Sequence, residues 1–482
     1  MCTACFQTAA STGLLHFCHC GSPATLAAMR RIEADLSRRQ MLGGMAAVVG
    51  MFAAFGLAPR EARAQGGAPP ILLTNLRYFD GHGSALTRGQ DILIENGRIS
   101  ALPATGQGPA EAQRVDCGGR TVVPGLIDTH WHATLVAISQ IAAMTQDIGF
   151  VHLMAGKAAG ETLLRGFTTV RDVGGPAFGL QAAIDRGVVS GPRIFPSGAI
   201  LSQTSGHGDF RFANSLPMMP SDPADYATKA GVVAIADGTP EVLRRTREQL
   251  MKGASQIKIA AGGGVASAYD PLESLQFTPD EMRAAVDAAA DWGTYVCAHV
   301  YTAPGIRRCI EAGVRSIEHG QLADEDTVRL MADRDIWWSI QPFLADEDAN
   351  VYTDPKAIAA QRAVSEGTLR AFELADKHQV NWAFGTDILY SGGASQGRQL
   401  AKLARYMTPL AALRRATGAA GDLLALSGSR APYDGRLGVI AEGALADLLV
   451  IDGDTEANLD WLQSTENLRL IMKDGRIVKT TL

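Results

Sequence analysis

The chain has 482 residues, 46% of them hydrophobic and 20% charged, and a formal net charge of −6. That length accommodates one large barrel plus a smaller domain. The mild acidity, with no basic run, gives no reason to expect nucleic acid as a partner.

Residues 1–64 read as a leader. Ser37-Arg-Arg-Gln-Met-Leu42 precedes an apolar run from Gly43 to Leu57, and Ala62-Arg-Ala64 offers a small-x-small cleavage site before Gln65. That order matches a twin-arginine (Tat) export signal whose apolar part is short for a membrane span. It makes the Tat export machinery a partner and sends the mature chain to the periplasm or outside the cell. An uncleaved N-terminal anchor is the competing reading. Residues 1–36 are long for a charged leader region and carry Cys2, Cys5, Cys18 and Cys20 with His16 and His19. Such a cluster suits a metal or a lipid, and the simpler reading is a disordered extension or a start at Met29. Without the leader only Cys117, Cys297 and Cys309 remain, which is no disulfide framework.

From Ile71 to Pro124 the chain reads as short strands and turns. Asp80-Gly81 marks a turn, and Asn96-Gly97 joins Asp91-Ile-Leu-Ile-Glu to Arg98-Ile-Ser-Ala-Leu as a hairpin. The C-terminus has the same texture. Asp447–Asp452 is a strand, and Asp474-Gly475 turns Leu468-Arg-Leu-Ile-Met-Lys into Arg476-Ile-Val-Lys.

The middle differs. Short apolar runs recur at Val122–Thr129, Thr168–Arg171, Arg193–Ser197, Gln256–Ala260, Tyr295–Ala298, Ser316–Glu318, Trp337–Gln341 and Asn381–Gly385. Amphipathic stretches separate them, such as the one that begins at Pro279 behind the capping residue Thr278. The expected fold is therefore α/β: a (β/α)8 TIM-like barrel over residues 125–432. A small β-sandwich-like domain would form from both chain ends, 65–124 and 433–482.

In such a barrel the chemistry sits at the C-terminal ends of the strands. His130 and His132, in Val122-Val-Pro-Gly-Leu-Ile-Asp-Thr-His-Trp-His132, lie two residues apart and so share a face of strand one. Lys258 lies within strand four, between Ile257 and Ile259, and alternation sends it to the face opposite theirs. His299 ends strand five, His319 ends strand six and Asp387 ends strand eight. Each has a bland reading alone, as a core histidine or a helix cap. Six potential ligands on one rim in strand order point to a metal. Trp131 either narrows the pocket or packs behind the strand. The Gly262-Gly-Gly264 run has no Walker pattern and reads as a loop that lets backbone approach substrate. Residues 265–270 would then decide specificity.

With these residues in place, the mature chain resembles the amidohydrolase superfamily, on the motif Pro-Gly-Leu-Ile-Asp-x-His-x-His and the ordered Lys, His, His and Asp. Within it the chain is most similar to the binuclear branch with prolidase-like Xaa-amino-acid dipeptidases and ochratoxinase-type amidases. Leu201–Asp209, Ala261–Val265 and His299–Ala303 carry that closer similarity. The resemblance implies two divalent metal ions, usually zinc, bridged by an N6-carboxylated Lys258. His130, His132 and Asp387 would hold the more buried ion, and His299 and His319 the other. Asp387 would move a proton from the attacking water to the leaving amine. Tyr301 would donate to the developing oxyanion, and His207 would contact the carboxylate or carbonyl of a small-molecule amide or peptide substrate. A structural role is the alternative for Tyr301 and His207.

Other readings stay open at this level: a cyclic-amide hydrolase of the imidazolonepropionase type, a lactonase or esterase, and a non-catalytic metal- or solute-binding barrel. The bridging lysine argues against the first, and the complete ligand set against the last. A homo-oligomer is expected.

Overall fold

A computed structural model describes residues 69–482 except 217–223, 266–268 and 391–392. The expected export signal, the four leader cysteines, His16 and His19, and the centre of the 265–270 loop lie outside the described residues.

Eight parallel strands carry the site: β1 Leu126–Trp131, β2 Phe167–Asp172, β3 Arg193–Pro196, β4 Ile257–Ala260, β5 Val296–Thr302, β6 Ser316–Leu322, β7 Trp337–Ile340 and β8 Trp382–Phe384. They form two arcs. One runs β3-β2-β1, and the other runs β4 to β8 in sequence order, extended past β4 by Ile200–Ser202 and Val233–Ile235. Hydrogen bonds cross both gaps between the arcs. Asp387 N donates to His130 O at 2.8 Å where β8 meets β1, and Ser255 N donates to Pro196 O at 2.8 Å where β4 meets β3.

Alternation along the strands sorts the core. Ile257, Ile259, Val296, Ala298, Ile317, Trp338, Ile340 and Phe384 enter the main apolar cluster with helix residues such as Met282, Ile306 and Phe372. Lys258, Cys297, His299 and Glu318 are buried on the other parity of the same strands. The helix Pro279–Asp291 begins, as expected, at Thr278. Thr278 and Glu281 close a capping box, which contributes about 1 kcal/mol.

The apolar run Val122–Thr129 spans Pro124-Gly125, where the sequence places the border between the terminal β segment and barrel strand one, and the chain changes sheets at that point. Thr121–Pro124 runs antiparallel to Leu448–Ile451 and parallel to Arg77–Tyr78, whereas Leu126–Trp131 pairs with β2. Gly125 is the crossing point. A Cβ there would sit 2.1 Å from Thr168 Oγ1, so only glycine lets the strand pass β2 this closely. Two further strands, Ile200–Ser202 and Val233–Ile235, were not expected; three residues are too few to show a period. β5 and β6 also run past their expected ends, which leaves His299 and His319 inside strands.

Both chain ends contribute to one six-stranded sheet, in the order Arg476–Thr480, Leu468–Lys473, Leu448–Ile451, Thr121–Pro124, Arg77–Tyr78, Thr87–Arg88. A four-stranded sheet, with the Ile92–Glu95 and Arg98–Ala101 hairpin at one side, shares a buried cluster with it. Leu73, Ile92, Ile94 and Ile99 pack there with Val122, Leu448, Val450, Leu470 and Met472. Among the described residues no helix is long and apolar enough to cross a membrane.

Candidate metal centre

His130 and His132 leave β1 on the same face, with ring centroids 5.5 Å apart. Both rings are buried, and both direct Nε2 at one atom: Asp387 Oδ1 lies 3.3 Å from His130 and 3.2 Å from His132. Their Nδ1 atoms are already committed. His132 Nδ1 donates to the carbonyl of Gly174 at 2.9 Å, and His130 Nδ1 lies 2.8 Å from the carboxylate of Glu318. A carbonyl and a carboxylate only accept, so each Nδ1 carries the proton. In the neutral imidazoles the Nε2 lone pairs therefore converge on a carboxylate oxygen. That arrangement repels itself unless a cation lies between.

Asp387 sits beyond β8 with a backbone φ of 52°, held by its N–H to His130 O. Burial works against its charge, but positive charge placed among His130, His132 and His319 outweighs burial and holds the carboxyl well below the usual range. His319 joins from β6. His130, His319 and Asp387 each present a ligand atom within 4.8 Å of the others. His319 has φ 75°, which interrupts strand alternation and lets the consecutive Glu318 and His319 both reach His130. The His319 ring centroid is 4.8 Å from that of His130, and its carbonyl accepts from Trp338 Nε1 at 2.5 Å. Its buried Nδ1 has no hydrogen-bond partner.

His299 completes the cluster, 4.4 Å from the His319 ring. Burial, then the nearby His207 and His319, push His299 well below an ordinary histidine. Burial and then His130 do the same for His319. Both rings are thus held neutral, the form that ligates. Lys258 is 3% exposed. Burial lowers its pKa, and Glu318 and Asp387 only partly oppose that. The residues present fit divalent metal: imidazoles kept neutral, an ionised carboxylate, an orphaned buried nitrogen and a buried lysine whose pKa is lowered.

His207 and Tyr301 also reach this cluster. The His207 ring stacks on His299 at 3.9 Å with 13° between planes, and Tyr301 stacks on His319 at 4.9 Å. Gly264 makes room for His207, since a Cβ there would lie 2.0 Å from His207 Cε1. The glycine run therefore admits the His207 side chain, and its backbone also comes close, with Gly263 O 3.3 Å from His299 Nε2. Trp131 is settled as well. It is 2% exposed and packs behind β1 with Ala155, Val170, Ile194 and Ile388.

Sequence reasoning missed the layer beneath. Arg171, fully buried on β2, donates to both Glu318 oxygens at 2.6 and 2.8 Å, to Thr129 O and to Tyr295 Oη. Asp128 accepts from His130 N, Thr386 N, Thr386 Oγ1 and Gln396 Nε2. Asp172 accepts from Ala133 N at 2.7 Å, and burial raises its carboxyl to about 7 despite His132. One signal was available: a charged residue in an apolar strand, as at Arg171, Glu318, Asp128 and Asp172, is costly without a partner.

Parallel strands with helices between them, and imidazoles gathered around a carboxylate at the strand ends, define an α/β protein with a candidate metal site. The amidohydrolase family profile matches residues 121–478, and the chain belongs to that family. It is a hydrolase acting on carbon–nitrogen bonds. Ochratoxinase of Aspergillus niger is 34% identical over 330 residues, 66% of this chain and 67% of that protein. A prolidase crystallised with N-methylphosphonate-L-proline superposes with a TM-score of 0.78 at 34% identity, covering 86% of this chain and all of that one. Imidazolonepropionase of Desulfotalea psychrophila is 25% identical over 449 residues, 87% of this chain and 95% of that protein.

Proposed function

We propose that this chain is a binuclear, metal-dependent amidohydrolase that cleaves the amide or peptide bond of a dipeptide or N-acyl amino acid. One observation carries the reading: two histidines with Nδ1 already committed aim Nε2 at a single oxygen of Asp387, with His319, His299 and Lys258 beside them. His130, His132 and Asp387 would hold one ion and His299 and His319 the other, with zinc the expected metal. Bound divalent ions would supply Lewis acidity and lower the pKa of bound water towards neutrality.

The chain's own groups do the rest. Lys258, whose pKa burial lowers, would add to carbon dioxide through its free amine and release a proton, and the resulting anionic carbamate would supply an oxygen donor to metal. Asp387, held ionised, accepts a proton from water and delivers it to the leaving amine. Burial, then Asp387, hold the Tyr301 phenol far above its ordinary pKa, so it remains a hydrogen-bond donor for the developing oxyanion. His207, with 26% of its side chain exposed and 3.7 Å from Asp270, faces the substrate's carboxylate. The similarity to ochratoxinase and to the prolidase structure supports an amide with a C-terminal amino acid over the cyclic-amide reading. We further read the two arcs as one closed (β/α)8 barrel beside a small β-sandwich domain, exported through the Tat machinery to the periplasm and assembled as a homo-oligomer.

The test is metal analysis of the purified chain with a dipeptide and N-acyl amino acid panel. Two metals per chain and turnover of such amides are expected. Lys258→Ala should lose both activity and metal, and a fully active, metal-replete Lys258→Ala would overturn the carbamate reading. N-terminal sequencing of the mature protein should find Gln65 first; Met1 would overturn export.

A further inference from the structure

The loop that follows β7 runs over the metal centre. Its Phe343 ring lies 5.9 Å from His319, nearly parallel to it, and packs with Tyr301 and Leu272. Its Tyr352 is half-buried and close enough to Asp387 and Tyr301 for their charges to act on one another. Between these two aromatics lies Asp346-Glu-Asp-Ala-Asn350.

Acidic and amide residues at alternate positions are the first three ligand places of a calcium loop. The rest of that pattern is missing, because Val351 stands where the turn glycine belongs and Ala357 where the closing glutamate belongs. A side chain supplies the cation instead. Lys402 Nζ lies 2.8 Å from Asp346 Oδ1 and 2.8 Å from Asp348 Oδ2, with its side chain 3% exposed. Arg398 adds a contact to Asp348 at 2.5 Å. The two carboxylates are themselves 13% and 7% exposed.

Lys402 and Arg398 stand on the helix Gln396–Lys402. The first residue of that helix, Gln396, donates to Asp128 at 2.9 Å, directly beneath His130. A Cβ at Gly397 would meet Leu462 O at 2.5 Å, so the helix is seated tightly from behind. One short element thus touches the floor of the metal centre at one end and its overhanging loop at the other.

We propose that Lys402 is a positioning residue: its ammonium, fixed between Asp346 and Asp348, holds the 342–354 loop over the metal centre and so sets substrate affinity. It touches no reacting atom. The proposal rests on the amidohydrolase reading for its kinetic consequence, though not for the tether itself.

The experiment uses the full chain and two readouts. Lys402→Met should speed amide hydrogen exchange of residues 343–354 by about tenfold or more. It should raise KM for an amide substrate about tenfold while kcat stays within about threefold and metal content is unchanged. Lys402→Arg should restore most of both. Should Lys402→Met fail to fold, Asp346→Asn with Asp348→Asn removes the same tether and should give the same pair of changes. Unchanged loop exchange overturns the proposal, as does faster exchange with unaltered KM, or a kcat loss that follows metal loss. A wild-type chain that hydrolyses no amide sinks the functional reading instead, and the exchange result still decides the tether.

Discussion

His130 Nδ1 lies 2.8 Å from Glu318 Oε2, and Glu318 is in turn gripped by the buried guanidinium of Arg171. The arrangement fixes the His130 tautomer and keeps Nε2 free for a cation. Glu318→Gln keeps the shape but lets an amide face the imidazole. It should weaken metal binding about 10- to 100-fold, read by competition with a chromophoric chelator.

The same carboxylate gives a pH signature. Burial alone would raise the Glu318 pKa, but Arg171 and His130 outweigh it and hold the group far below its ordinary value. A carboxyl depressed on folding stabilises above its unfolded pKa of about 4.3 and loses that contribution as pH falls. Arg171→Met leaves Glu318 buried without its guanidinium partner, held only by His130 and Ser316, which should cost roughly 3–5 kcal/mol at pH 7. The gap to wild type should narrow towards pH 4 as that carboxyl takes up a proton. Urea denaturation at both pH values checks this, and a gap that widens in acid contradicts it.

Gly264→Ala places a methyl against His207 and should drive that ring off His299. Overpacking of this kind costs about 1–3 kcal/mol. If His207 contacts the substrate carboxylate, KM for an N-acyl amino acid should rise about tenfold more than for the matching amide without a carboxylate. Equal effects on both substrates would assign His207 a structural part.

Chelation offers a fourth check. Ligands that bind only the folded chain stabilise it by mass action, about 4 kcal/mol at a thousandfold excess over Kd. Removing metal should lower the thermal midpoint, and zinc should restore it. A midpoint indifferent to chelator means that the cluster holds no ion.

The candidate site was legible because its chemistry is concentrated in rare residues at or near strand ends. His130, His132, His299, His319 and Asp387 gather, and strand parity gave the face opposite Ile257 and Ile259 on which Lys258 is buried. What escaped was the support. Asp128, Arg171 and Glu318 are defined by partners far away in sequence, and a single position does not announce a partner. Backbone conformation escaped for a similar reason. The positive φ at His319 goes with the fit to Trp338, and the need for a glycine at the Gly125 crossing depends on how close β2 approaches. Lys402 was out of reach, because a lysine at the end of a polar helix reads as solvated until the loop beside it is placed.

Asp128 joins β1 to the segment after β8 across 258 residues of chain. A growing chain thus makes His130 and His132 long before the partner that completes their site. Until the last strand docks, the two imidazoles have no shared carboxylate, and a metal ion that meets the nascent chain finds only an incomplete set of donors. Metal uptake would then report that the segment after β8 has reached β1, a late checkpoint in folding rather than an early nucleus for it.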